Sequence, residues 1–347
     1  MKLSKLLLIA LSVSLFVSCS NDDDDQPKGE YDNGFFILNE GSAGQGTVSF
    51  SSDDFTVFTK DAYTAANGTD LLGKYAQNIF FSGDRAYIIA GGSNVINVVN
   101  RYNFKLIAKI DSGLANPRYG VVKDGKAYVT NANTYSYINP ATGDTDDYVA
   151  VIDLNTNKVE SKIELNATAN RVLLENGKLY ITEPYASDKL LVVNIATKAL
   201  ETPVTIGSYA DSIEEEDGIL YILRAPYGAS SEIVKVKLSD KSTTKLTFPA
   251  SLERAGYLDV SDDKVYYTVN SSVYSISTSA TSVSTSAIFT ASSVANLYGF
   301  AVNDNRIYLA DSGDYKADSK AYIYNLTGTL QKELTVGVGP NGFYFND

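Results

Sequence analysis

Seven short apolar strands, each with an aromatic residue near its centre, recur along the chain and limit its fold more than any other feature. They are FFILNE (Phe36), RAYIIA (Tyr87), KAYVTN (Tyr128), KLYITE (Tyr180), ILYILR (Tyr221), KVYYTV (Tyr266) and RIYLAD (Tyr308). All but the first follow a turn pair: Gly83-Asp84, Asp124-Gly125, Asn176-Gly177, Asp217-Gly218, Asp262-Asp263 and Asp304-Asn305. β-branched and aromatic runs bounded by Gly, Asn and Asp read as strands joined by tight hairpins. Successive aromatics lie 51, 41, 52, 41, 45 and 42 residues apart. A period of about 40–45 residues with four strands per unit is that of a propeller blade. The two long intervals hold the segments 61–73 and 131–147, which read as insertions.

Two more strands follow each aromatic strand, as at 190–195 and at the stretch ending at Ile206 in the unit 176–207. Before most aromatic strands lies an inner strand, expected at 79–82, 119–123, 172–175, 213–215, 257–260 and 298–302. The first aromatic strand has none upstream, whereas the C-terminus has a spare one at 342–345. Pairing these two closes the ring and removes an open edge. The Ser/Thr-rich stretch 271–293 keeps strand alternation where the sixth blade needs outer strands. The expected fold is all-β: a seven-bladed β-propeller of four antiparallel strands per blade over residues 31–347.

Ahead of it, two lysines, an apolar run from Leu6 to Val17 and Ser18-Cys19 have the layout of a lipoprotein signal peptide, residues 1–18, with Cys19 lipidated after cleavage. Cys19 is the chain's one cysteine, so no disulfide framework is expected. Residues 19–30 are acidic and apolar-poor and read as a flexible tether. Loss of Lys2 and Lys5 with the signal takes the net charge from −12 to −14, the wrong sign for a phosphate backbone. Nucleic acid is therefore excluded as a partner. Without His or Trp, the chain excludes His-based triads, His-ligated zinc and His-ligated haem.

In a propeller, the loops leaving each aromatic strand and those entering each inner strand converge on one face around the axis. That face is expected to carry Glu40, Arg118, Tyr119, Tyr135, Tyr137, Arg171, Tyr185, Asp211, Arg224, Tyr227, Arg254, Tyr257, Tyr298, Asp311 and Tyr315. Tyrosines give wide amphipathic contact and arginines directional donors, which suits a bulky, partly polar ligand or a protein partner. No cofactor is required by this reading. Calcium is an open alternative at two acidic clusters, Asp144 with Asp146 and Asp147, and Asp311 with Asp314 and Asp318. Glu40 is likewise a candidate ligand in a calcium-dependent lactonase reading. The runs 214–217 and 22–25 read as solvated charge.

The segments ILNEGSAGQGTVSF, AANG followed by LLG, NPRYGVVKDGKAYVTN, YVAVIDLNTNKV, LYGFAVNDNRIYLADSGDY and VGVGPNGFYF together resemble the YVTN-type seven-bladed propeller lipoproteins of Bacteroidetes. That family includes surface cobalamin-binding proteins that work with a TonB-dependent vitamin B12 transporter. The resemblance covers nearly the whole mature chain. It implies a non-enzymatic lipoprotein, held at the outer membrane by its lipid alone and exposed at the cell surface. Such a protein would capture a corrinoid or similarly bulky ligand and deliver it to the transporter. Loop tyrosines and arginines would meet the corrin edge and its amide arms, and cobalt ligation by His is impossible in a His-free chain. An adhesion or scaffold module for protein or glycan is the alternative, with a calcium-dependent lactonase third.

Overall fold

The computed structural model describes residues 28–133, 146–185 and 187–346. Seven antiparallel sheets follow one another around a ring, and the sixth and seventh are as regular as the rest. The inner strands run Ala76–Ser82, Pro117–Lys123, Val172–Glu175, Ala210–Glu216, Ala255–Ser261, Leu297–Asn303 and Pro340–Phe345. Each expected inner strand is present, most of them starting two or three residues earlier than the sequence pattern suggests. The Ser/Thr-rich stretch does supply the outer strands of blade six, Ser272–Ser277 and Phe289–Thr290. In blade four the outermost position is split between Ala199–Leu200 and Val204–Thr205, both paired to Lys189–Asn194.

The turn pairs do what their residue types dictate. Both central residues have positive φ at Asp124-Gly125, Asn176-Gly177, Asp217-Gly218, Asp262-Asp263 and Asp304-Asn305. That geometry matches the right-handed twist of the strands it joins, and Asn, Asp and Gly adopt it at least cost. Each hairpin then fixes the register so that one face of its blade packs on the next. Phe36, Tyr87, Tyr180, Tyr221, Tyr266 and Tyr308 are almost wholly buried there, and Tyr128 nearly so. Some hydroxyls tie blades together: Lys241 Nζ donates to the Tyr180 hydroxyl at 2.5 Å and lies over its ring.

Ring closure follows the expected pairing, with Phe35 opposite Phe345, Phe36 opposite Tyr344 and Ile37 opposite Phe343. Phe343 fills the core against Phe35 and Tyr308. Asn346 then locks the seam: its backbone N–H donates to Gly34 O at 2.7 Å. Its side-chain amide reaches Tyr31 O and Arg101 O, and Arg101 Nε donates back to its carbonyl oxygen. The insertion 61–73 contains one helical turn, Ala62–Asn67, capped by Asp61 and burying Ala62 and Tyr63. Among the described residues no helix is long and apolar enough to cross a membrane.

Candidate functional site

The inner strands all begin at the same end of the ring. Their first residues therefore form a circle around the axis, one or two per blade. Gln77, Arg118 with Tyr119, Arg171, Asp211, Tyr257, Tyr298 and Asn341 line a cup of about 500 Å³, joined by Glu40, Tyr75, Asn116, Asn170 and Tyr185 from the loops. The fold thus brings together Glu40, Arg118, Tyr119, Arg171, Tyr185, Asp211, Tyr257 and Tyr298 from the expected loop face.

One wall of the cup is a connected polar chain. Arg118 Nε donates to Asn170 Oδ1 at 3.0 Å, and Asn170 Nδ2 donates to Asp211 Oδ1, also at 3.0 Å. Arg171 Nε lies 3.1 Å from that same oxygen, an ion pair without hydrogen-bond alignment. Its guanidinium also stacks on Tyr119, whose hydroxyl accepts from Gln77 Nε2 at 2.9 Å. Enclosure works against the Arg171 charge, but Asp211 and the polar tyrosines more than offset it and the guanidinium is held cationic. Opposite, the Tyr298 hydroxyl donates to Glu40, and burial followed by that carboxylate raises the Tyr298 pKa well above its usual range. Among the described residues, nothing accepts from the two terminal amino groups of Arg118, and no carboxylate is within ion-pair distance of it. A planar fork of free donors is thereby presented to the cup.

Around the mouth of the cup runs a strained rim. The residue just before the inner strand has positive φ in five blades: Tyr75 (52°), Asn116 (45°), Tyr209 (63°), Arg254 (59°) and Gly339 (65°). Gly and Asn tolerate that conformation, whereas for Tyr and Arg it costs on the order of 1 kcal/mol. Those three strained side chains are exposed. Tyr227, 77% exposed, meets Tyr209 edge-on and lies under the Arg254 guanidinium at 5.1 Å.

Several expected contacts take other roles. Arg224, opposite Ala210 at the end of its strand, is held by Glu232 at 2.5 Å and by Ser208 O, and does not line the cup. Asp311 is buried and accepts the backbone N–H groups of Ala295, Asn296 and Gly313, so it anchors a loop. Tyr315 packs edge-on against Tyr298 and lines a separate groove with Lys60 and Lys316. Tyr227 and Arg254 belong to the rim. Tyr135, Tyr137, Asp144 and Cys19 lie outside the described residues. Of the other calcium candidates, Asp147 accepts from the Asn133 and Ala169 backbones, Asp314 from Lys316 and Ala317, and Asp318 pairs with Lys60. Asp146 accepts from Asn133 Nδ2 at 2.8 Å. Among the described residues no group of three or more Asp, Glu, Cys or His side chains is placed to hold a metal ion.

Two cup residues, Gln77 and Asn341, escape a search for exposed tyrosines and arginines, although their place at the start of an inner strand would have revealed them, and Tyr75, one residue ahead of its inner strand, is missed as well. A larger departure concerns the run 214–217. Asp217 is a solvated turn residue, as expected. Glu214 instead points into the axial tunnel below the cup, beside Asp259 of the next blade. Burial, then the Asp259 charge, drives its carboxyl pKa upward. Burial likewise raises Asp259, against the N–H groups of Val302 and Val260 that it accepts at 2.7 Å.

The sequence profile of the family described as Domain of unknown function (DUF5074) matches residues 33–257, well over half of the chain. No curated protein matches the sequence significantly. Among solved structures, a functionally unknown protein from Desulfotomaculum acetoxidans is similar at TM-score 0.68 and 14% identity, covering 90% of this chain and 98% of its own. The periplasmic gluconolactonase PpgL of Pseudomonas aeruginosa matches at 0.66 and 10%, with coverage of 90% and 98%. A putative 6-phosphogluconolactonase from Bacteroides uniformis matches at 0.65 and 10%, with coverage of 90% and 99%. At these identities the likeness is one of fold.

Proposed function

The chain belongs to the DUF5074 family and is a seven-bladed propeller, and from that premise we propose that it is a ligand-capturing protein rather than an enzyme. The observation that carries this reading is the cup itself, where the free Arg118 fork lies among Asn116, Asn170, Gln77 and Asn341. Such a set recognises carboxylate, carboxamide or phosphate groups by paired hydrogen bonds. A cavity of this size encloses a drug-sized molecule or one edge of a larger one. The exposed rim of Tyr75, Tyr209, Tyr227 and Arg254 supports the larger ligand, because it adds flat amphipathic contact around the cup.

The sequence resemblance to cobalamin-binding lipoproteins makes a corrinoid, with its ring of amide arms, the first ligand to test. Delivery to a TonB-dependent transporter and anchoring through Cys19 belong to the same reading. Calcium-dependent lactone hydrolysis is disfavoured by the occupancy of the oxygens it would use. Tyr298 engages Glu40, while Asn170 and Arg171 flank Asp211.

The test is calorimetric titration of residues 26–347 with cyanocobalamin, repeated with Arg118→Met and Tyr227→Ala. Saturable binding weakened tenfold or more by either change supports the corrinoid reading. No heat at micromolar protein overturns that ligand and moves the search to glycans and protein partners of the same face. Loss of metabolic lipid labelling in Cys19→Ser, with labelling of the unaltered chain, tests the anchor.

A further inference from the structure

Opposite the central aromatic of each blade, the inner strand carries in turn Phe80, Val121, Leu173, Glu214, Asp259, Ala301 and Tyr344. Directly paired residues project from the same sheet face, so these side chains meet the next blade at the tunnel wall. Five positions are apolar or aromatic. Blades five and six, neighbours in the ring, substitute carboxylates at a place where an apolar residue packs elsewhere. Asp259 has a structural explanation, because it accepts Val302 N and so ties blade six to blade seven. Glu214 has none. It is partly buried and faces the tunnel, and it makes no hydrogen bond or ion pair with any described residue. The one cation acting on it is Arg171, already engaged by Asp211.

Below the pair Arg171 and Tyr119, the tunnel widens into a second cavity of about 480 Å³. Its walls are Phe81, Val121, Leu173, Leu174 and Ile213, with Tyr119 and Arg171 at the end nearest the cup, and Glu214 is the acid that lines it. A partly buried carboxylate with no protein partner is stabilised when a charge or donor meets it. The apolar walls select what that can be. A calcium ion takes about six to eight oxygen ligands, and here one carboxylate of the two already accepts two backbone N–H groups. An ammonium with a hydrocarbon body satisfies both halves of the cavity.

We propose that the lower tunnel is a second binding site, for an organic ammonium compound, seating its N–H groups against Glu214 and Asp259 and its hydrocarbon against Phe81, Val121 and Leu173. The site is separate from the cup, so it stands whether or not the cup binds a corrinoid.

The test is titration of residues 26–347 with n-butylammonium, with the neutral isostere n-butanol and calcium chloride as parallel arms. Saturable binding of the amine alone, weakened at least tenfold by Glu214→Gln and unchanged by Arg118→Met, is the expected result. Glu214→Leu, which restores the apolar pattern of the other blades, is a second variant with the same expected loss. Absence of saturable amine binding, equal binding of the alcohol, binding of calcium without the amine, or undiminished affinity in both Glu214 variants overturns the proposal.

Discussion

The guanidinium of Arg171 stacks on the ring of Tyr119, 4.7 Å from its centroid, and this pair divides the axial tunnel into an upper cup and a lower cavity. Both cavities are lined by the same two side chains. One cation therefore serves Asp211 above and acts on Glu214 below. The two halves of the axis are electrostatically linked through a single residue.

Arg171→Met tests that link. It leaves Asp211 with Asn170 as its hydrogen-bond donor and removes the charge that opposes the upward shift of Glu214. Both acids are part-enclosed, so a loss on the order of 1–3 kcal/mol is expected at neutral pH. Differential scanning calorimetry reads it as a lower Tm. An unchanged Tm would mean that tunnel water already screens both acids.

The pH dependence of stability should carry the signature of the lower tunnel. Glu214 is pushed up to about 8 from 4.5 by burial and by Asp259, with Arg171 acting the other way. Asp259 is pushed up to about 6 from 3.8, burial again being the main cause. An acid whose folded value lies above its unfolded one holds its proton longer in the native state. The fold then loses stability as pH rises between the two values. Glu214→Gln should match the unaltered chain at about pH 4 and exceed it by roughly 1–3 kcal/mol at about pH 9. Denaturant melts at the two pH values decide it, and equal curves at high pH would show that Glu214 ionises freely.

The fold is legible in the sequence because its determinants are local. Asp124-Gly125 and Asn176-Gly177 dictate their hairpins whatever surrounds them, and a buried aromatic sits at a fixed place after each turn. Half of the cup is legible for a related reason: Tyr119, Arg171, Tyr257 and Tyr298 stand at strand starts and are conspicuous residue types. Gln77 and Asn341 are ordinary amides, visible only once all seven strand starts are superposed. Arg224 and Asp311 mislead because a charged loop residue satisfies its own backbone or a neighbour as readily as a ligand. Glu214 is hidden by its run of acids. Strand register alone separates it from Glu215, whose carboxylate accepts the Gly218 N–H at 2.7 Å in the turn.

The closure seam predicts a large penalty for a small change. Phe343 is 7% exposed and packs on Phe35 and Tyr308, in the strand that completes blade one. Phe343→Ala should cost about 3–5 kcal/mol, as expected for an aromatic removed from a core. Deleting residues 340–347 should do more, exposing the edge of the strand Gly34–Asn39 and leaving the ring open. Urea unfolding of the point variant and light scattering of the truncated chain are the readouts. A truncated chain that stays monomeric and unfolds cooperatively would contradict closure by this strand.

The strained rim allows binding to be separated from folding. Tyr209 holds φ at 63° immediately before its inner strand, while its ring is 37% exposed and meets Tyr227. A residue kept for stability would not combine an unfavourable backbone with an exposed aromatic. Glycine adopts the same φ without strain, offset in part by the greater freedom it gives the unfolded chain. Tyr209→Gly should therefore leave stability unchanged or raise it by up to about 1 kcal/mol. If the rim contacts ligand, the same variant weakens capture at the cup tenfold or more. Tyr75→Gly, at φ 52° on the opposite side of the cup, should behave in the same way. Thermal melts and calorimetric titration of both variants give the answer. A fall in Tm together with unchanged ligand affinity would assign the rim tyrosines to the fold and take them out of the binding face.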